Sequence, residues 1–222
     1  MTDIKKNYCD VLASVNGKTL VAVSKFHPEE ELMEAYDAGC RVFGESHVQG
    51  LERKPSQLPS DISWHFIGHL QRNKVAKIVP YVSLIHSVDS LRLLEEINKQ
   101  AVKIGRKVNV LLQLHVAAEE TKFGFTLEEI NEMFKETKPE TFTGVVFKGI
   151  MAMATNTDDE SRIVSDFEAA LNAFNTLKKT FFKESEEFSI KSYGMSDDYP
   201  IALEHGSNMV RVGTRIFGPR VY

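Results

Sequence analysis

Cysteine is scarce in this chain, with two, Cys9 and Cys40, among 222 residues. They form neither a CxxC pair nor a zinc pattern, and two free thiols suit a reducing compartment. Long hydrophobic runs are missing too. Those present, such as VNVLLQL at 108–114, are far too short to cross a bilayer. The first residues, MTDIKKNYCD, lack the apolar centre of a secretory signal, so a cytoplasmic location is expected. No charge of one sign dominates: 27 Lys and Arg stand against 31 Asp and Glu. That weighs against nucleic acid or an anionic membrane as the main partner. Neither GxxxxGK[ST] nor GxSxG occurs, which removes P-loop and hydrolase-elbow chemistry. No His, Cys, Asp or Glu cluster has metal-ligand spacing, and no metal is expected. No linker, low-complexity tract or composition break divides the chain, so residues 1–222 read as a single domain.

What the chain does have is alternation. LVAVSK at 20–25 is followed by PEEELMEAYDAG, in which Leu32, Met33 and Tyr36 form an apolar stripe. Pro28 suits a first helical position, the glutamates suit the positive helix end, and Gly39 suits the stop. RVFGE, ISWHFIG, SLIHSV, VNVLLQLHV, VVFKGIMAMA, FSIKSYGM and MVRVG read as strands two to eight. Helical segments separate them, the longest across 159–183, and a short segment ends the chain. About eight strand–helix units favour a closed parallel barrel over an open sheet. The expected fold is α/β: a single (β/α)8 TIM barrel with an extra N-terminal helix over residues 3–15.

Active sites of such barrels sit at the C-terminal ends of the strands. Lys25 ends strand one and shares parity with Val21 and Val23, which points all three to one side, inward. A lysine in a partly apolar mouth is desolvated, which favours a neutral, nucleophilic amine. On position alone, a strand-end lysine reaching water is the commoner case.

Barrel phosphate sites are commonly built from the loops after strands seven and eight, here YGMSDD and RVGTRIFG. Ser196 offers a hydroxyl just before a helix, whose N-terminal amides favour an anion. Gly213 has no side chain to keep a phosphate from the backbone, and Thr214 offers a further hydroxyl. Taken singly, SxDD is also an ordinary helix cap and Gly-Thr an ordinary turn. Together, opposite a lysine on strand one, they suit a ligand with an aldehyde at one end and a phosphate at the other. Pyridoxal 5′-phosphate (PLP) fits that description.

The series AVSKFHP, RVFGES, WHFIGHLQRNK, HSVDS, GIMAMA, YGMSDD and VRVGTRIFG occurs in order within a stretch from about Leu20 to Gly218. It resembles the pyridoxal phosphate homeostasis protein family, which is similar to the barrel domain of alanine racemase without its C-terminal β domain. The resemblance implies a PLP Schiff base at Lys25 and a phosphate held by Ser196, Gly213 and Thr214. It also implies Arg211 beside the pyridine nitrogen and Met151 near the ring face. Ser46 joins the cofactor-binding set, in FGES where the family more often has FGEN; its hydroxyl has a shorter reach than the amide. His69 stands where proline or another small residue is usual. His115 occupies the strand-five exit, and Lys122 keeps a Lys-x-Gly spacing at the site mouth. His65 and Trp64 read as packing, Asp197 and Asp198 as helix N-terminal acids, and the apolar stripe across 167–182 as core.

An arginine at the pyridine nitrogen disfavours its protonation, because two cations would meet, and weakens the ring as an electron sink. Alanine racemase adds a tyrosine base from its β domain; this chain stops at Tyr222, four residues beyond IFG, and no second base is evident. No catalytic residue is therefore expected. The resemblance implies a cytoplasmic, monomeric PLP-binding regulator or carrier in vitamin B6 homeostasis, with PLP and PLP-dependent apo-enzymes as partners. A small PLP-dependent amino-acid racemase is the alternative, and a PLP-independent Schiff-base aldolase a more distant one.

Overall fold

The alternating runs resolve into alternating strands and helices. The structure, a computed structural model, describes residues 2–119 and 121–219; Tyr222 lies outside the described residues. In chain order the elements are α1 (Ile4–Ser14), β1 (Thr19–Val23), α2 (Glu29–Asp37), β2 (Val42–Glu45), α3 (Val48–Gln57), β3 (Ser63–Phe66), α4 (Val75–Ile78), β4 (Leu84–Val88) and α5 (Leu91–Lys103). They continue with β5 (Val108–Leu114), α6 (Leu127–Glu136), β6 (Val145–Ala152), α7 (Glu160–Thr180), β7 (Ile190–Ser192), α8 (Tyr199–Glu204), β8 (Met209–Val212) and α9 (Thr214–Phe217). The eight strands pair in sequence order into a closed barrel, and β8 returns in parallel to β1 with Thr19 opposite Met209 and Ala22 opposite Val212. The barrel and its leading helix are those expected. Short 3-10 turns over Arg72–Lys74 and Pro139–Thr141, and the single-turn α9, are additional.

Helix starts follow from local chemistry. Thr126 and Glu129 form a capping box at α6, each side chain bonding the other's backbone N–H. Asp159 accepts from the amides of Ser161 and Arg162 at α7. Pro28 is the residue before α2, with extended backbone, so the three glutamates rather than the proline occupy its first turn. Among the described residues no helix is long and apolar enough to cross a membrane.

Strand alternation sorts the core into two. Leu20, Ala22, Phe43, Trp64 and Phe66 pack outward under the helices, while Val21, Leu84, Leu111, Met151 and Met209 fill the barrel interior. Toward the C-terminal end the buried inward positions turn polar: His65, His86, Gln113, Ser192 and Arg211. The stripe across 167–182 is core, with Phe167, Ala170, Phe174, Leu177 and Phe182 buried.

One irregularity governs what β6 presents to the mouth. Val110 of β5 pairs with Phe147, yet the next residue, Leu111, pairs with Gly149. This bulge reverses the parity of β6. Before it Val145 and Phe147 face outward; after it Ile150 and Ala152 do, and Met151 turns into the barrel. Gly149 has φ +146°, and a Cβ there would lie 1.8 Å from the Ile190 carbonyl oxygen. Neither the backbone nor the space admits a side chain. Gly149→Ala should therefore cost at least ~2 kcal/mol of stability, read from urea unfolding; an unchanged midpoint would contradict the bulge as described.

Candidate functional site

A cavity of about 290 Å³ opens beyond the C-terminal ends of β1, β2, β7 and β8. Lys25, Ser46, Ser196, Arg211, Gly213 and Thr214 all border it, together with Val23, His27, Ile67, Met153, Met195, Asp197 and Gly218. Met151 does not. It is fully buried in the barrel interior, and Met153, the next inward residue of the same strand, borders the cavity instead. The β6 bulge turns both methionines inward, and Met151, two residues earlier, lies one layer below the cavity. Lys122 borders a neighbouring hollow of about 390 Å³ that shares Met153, Met195 and Asp197 with the first. Its ammonium is held by the Ala154 carbonyl at 2.7 Å and by Glu119 at 2.9 Å. His69 is half in solvent but not idle: it stacks on Phe123 with centroids 3.9 Å apart and meets Asp89 at 3.0 Å.

Lys25 sits in a turn rather than on the strand itself. β1 ends at Val23, Ser24 N–H still reaches Gly44 O at 3.0 Å, and Ser24 O then accepts the His27 N–H at 3.2 Å. Phe26 occupies the turn position where glycine is preferred, with φ +70°. Strain of this kind persists only where its surroundings enforce it. His27 borders the cavity while its Nδ1 meets Glu31 at 2.7 Å and its ring stacks on Phe217. Next to it, the β2 loop carries Ser46. Gly68 of WHFIG lets that loop pass, since a Cβ there would lie 2.3 Å from Ser46 O.

The loops after β7 and β8 meet at Ser196. Its Oγ accepts the Gly213 N–H at 3.3 Å and a hydrogen bond from Thr214 Oγ1 at 3.2 Å. Asp198 closes the first loop by accepting the Met195 N–H at 2.6 Å, as a helix-start acid does. Burial pushes the Asp198 carboxyl up, partly offset by the Met195 amide and then by the Arg211 charge. Gly213 is favoured for a reason beyond ligand approach: a Cβ would be tight against β1, 3.2 Å from Val23 Cβ and 3.3 Å from Val23 O. Helix α1 packs behind this corner, with Asn7 Nδ2 donating to Ile216 O at 3.2 Å.

Arg211 is buried and tied down. Its Nη1 donates to Ser192 O at 2.8 Å and Ser192 Oγ at 2.9 Å, and Nη2 donates to Ala152 O at 3.1 Å. The chain continues from Ser192 Oγ to His86 Nδ1 at 3.1 Å and from His86 Nε2 to His65 Nδ1 at 3.0 Å. Burial brings the guanidinium down to about 10, so it stays cationic at neutral pH. Burial also holds His65 down at about 4 and drives His86 well below its ordinary value, helped there by His65 and Arg211. A neutral imidazole has one donor and one acceptor nitrogen, so His86 donates on one side, to Ser192 or to His65, and accepts on the other. The residues that the sequence reading did not find here are Ser192 and His86; their inward parity with Arg211 and His65 was the available signal.

Both rings are neutral in the folded chain and take up protons on unfolding as pH falls below ~6.5. The stability they contribute is complete above that pH and is lost as pH falls through about 4, the folded value for His65. His65 alone should account for about 3 kcal/mol between those limits. Histidine-selective NMR at pH 5.5 should find His65 and His86 uncharged; a titration of either near its ordinary value would contradict the buried chain.

The descriptor "Alanine racemase, N-terminal domain" matches residues 1–221. The pyridoxal phosphate homeostasis protein of Schizosaccharomyces pombe is 36% identical over 211 residues, covering 93% of this chain and 87% of that protein. The protein of the same name from Escherichia coli K12 is 37% identical over 211 residues, covering 92% and 86%. PipY of Synechococcus elongatus PCC7942, solved with PLP bound, superposes with a TM-score of 0.87 at 30% identity, covering 97% of this chain and all of that one. Alanine racemase from Bartonella henselae, at 17% identity and a TM-score of 0.71, covers 99% of this chain and 61% of that one and shares the fold. The chain belongs to the alanine racemase N-terminal domain family and, within it, to the pyridoxal phosphate homeostasis proteins.

Proposed function

We propose that the chain binds PLP at the barrel mouth and serves intracellular PLP homeostasis as a holder or carrier of the cofactor, not as an enzyme of high turnover. One observation carries this reading: a single cavity is bordered by Lys25 on the β1 side and by Ser196, Gly213 and Thr214 on the β7–β8 side. The names of the relatives and the PLP held by PipY support it. Bound PLP supplies a phosphate dianion and an aldehyde, which condenses with a primary amine and releases one water.

In this reading Ser196 and Thr214 hold the phosphate, with Gly213 bringing their loop close to β1. Lys25 provides the amine, and Met153 rather than Met151 takes the place beside the ring. Arg211 donates but cannot accept, and its bonds to Ser192 and Ala152 prevent it from swinging away. At a ring nitrogen it would leave that nitrogen unprotonated, which favours holding the cofactor over turning over a substrate. A monomer is the proposed binding unit. PLP-dependent apo-enzymes are the proposed recipients.

A specific observation favours the racemase alternative. His27 and Asp197 border the same cavity, and either could exchange a proton with an amino-acid substrate. His27, however, is held by Glu31 and Phe217.

Three measurements test the proposal. Borohydride reduction and peptide mapping should place the pyridoxyl mass on Lys25, and Lys25→Ala should lose it while unfolding as cooperatively as the parent. Pyridoxal should bind far more weakly than PLP, and Ser196→Ala and Thr214→Ala should each weaken PLP binding by ~1–3 kcal/mol; equal affinities for the two ligands would remove the phosphate cup. D-isomer formation from L-amino acids near ~10 s⁻¹ would promote the racemase.

A further inference from the structure

The turn that carries Lys25 is held from behind by a buried ion pair. Lys54, on α3, donates from Nζ to Glu45 Oε1 at 2.7 Å and to Ser24 O at 2.9 Å. Ser24 Oγ donates to the same Glu45 oxygen at 2.6 Å. Glu45 and Lys54 are each 2% exposed and Ser24 is fully buried. The Ser24 carbonyl belongs to the peptide bond that joins Ser24 to Lys25. It also accepts the His27 N–H that closes the turn. One ammonium thus grips the peptide plane from which the Lys25 side chain departs.

Burying two charges is costly, and an ion pair that only stapled β2 to α3 could be replaced by apolar residues at no loss. The chain has also made room for it. A Cβ on Gly50 would lie 2.5 Å from Glu45 Oε2. Location sharpens the point. Glu45 and Lys54 do not border the cavity; they border a hollow of about 430 Å³ on the far side of the turn, together with Phe26. Lys25 borders the cavity. The turn stands between the two, with the clamp on one side and the amine on the other.

We propose that Ser24, Glu45 and Lys54 are positioning residues that fix the peptide plane before Lys25 and so aim its amine into the cavity. This rests on the reading of Lys25 as the amine that takes PLP. The strained Phe26 follows from it: the clamp and the His27 bond hold the turn, and Phe26 absorbs the positive φ.

The test separates aim from binding. Pyridoxine 5′-phosphate has the phosphate and ring of PLP but no aldehyde, so its affinity reports the cavity without the amine. The double variant E45Q/K54M removes both charges together and leaves no lone buried ion. It should bind pyridoxine 5′-phosphate within twofold of the parent, yet form the PLP–Lys25 linkage ~10-fold more slowly, followed by stopped-flow absorbance and mapped after borohydride reduction. Ser24→Ala keeps the ion pair and loses one bond to it, and should slow the linkage by ~3-fold; it decides the matter if the double variant does not fold. Labelling of the PLP-free proteins with acetic anhydride should show a changed rate at Lys25 alone among the mapped lysines. Linkage rates within twofold of the parent, or an equal loss of pyridoxine 5′-phosphate binding, would overturn the clamp. If the parent itself carries PLP on a different lysine, the reading of Lys25 fails instead.

Discussion

The pairing of β1 with β8 is the constraint on which the site depends. Lys25 and Thr214 are almost two hundred residues apart in sequence, and each lies just beyond its strand. Hydrogen bonding between the first and last strands, with Ala22 opposite Val212, brings those two exits side by side. Gly213 then packs closely against Val23, where a Cβ would be tight at 3.2 Å, so the seam is closed at its upper edge as well. Helix α1 supports the corner from outside through α9. The amine and the hydroxyl loops therefore face one cavity because the barrel closes, and not because of any local motif.

Below the cavity the barrel interior carries a layered argument of its own. The lower inward positions are apolar, which is what a barrel of this size needs to fill its centre. The upper ones form a polar chain that ends in a cation. Burial works against the Arg211 charge, but Asp198 favours it, carbonyls of Ser192 and Ala152 accept from it, and the two histidines nearby stay neutral. A fixed cation thus stands under the mouth, as the proposed holder of PLP requires.

Much of this was legible in the sequence, for physical reasons. Period-two apolar runs broken by glycine and proline were enough for eight strand–helix units, and the order of those units was enough for the barrel. Lys25, Ser196, Gly213 and Thr214 were read from strand exits, where barrel sites sit, and Arg211 came with the family resemblance; the structure gathers all five around one cavity. Met151 was read as the residue that closes strand six, but the inward series runs on to Met153, which is the one that borders the cavity; periodicity gives a residue's face and not its depth. Ser192 and His86 escaped notice because a lone serine or histidine inside a strand is ordinary until its partner across the barrel is known. The Glu45–Lys54 pair was invisible for the same reason: nine residues apart on a strand and a helix, the two look like surface charges.

The most direct measurement is a crystal structure of the chain loaded with PLP. Continuous density from Lys25 Nζ into the ring is expected, with the phosphate within hydrogen-bonding distance of Ser196 and Thr214 and Met153 beside the ring. Density on another lysine, such as Lys122 in the neighbouring hollow, or a phosphate bound away from the β7 and β8 loops, would contradict a single site built across the β1–β8 seam.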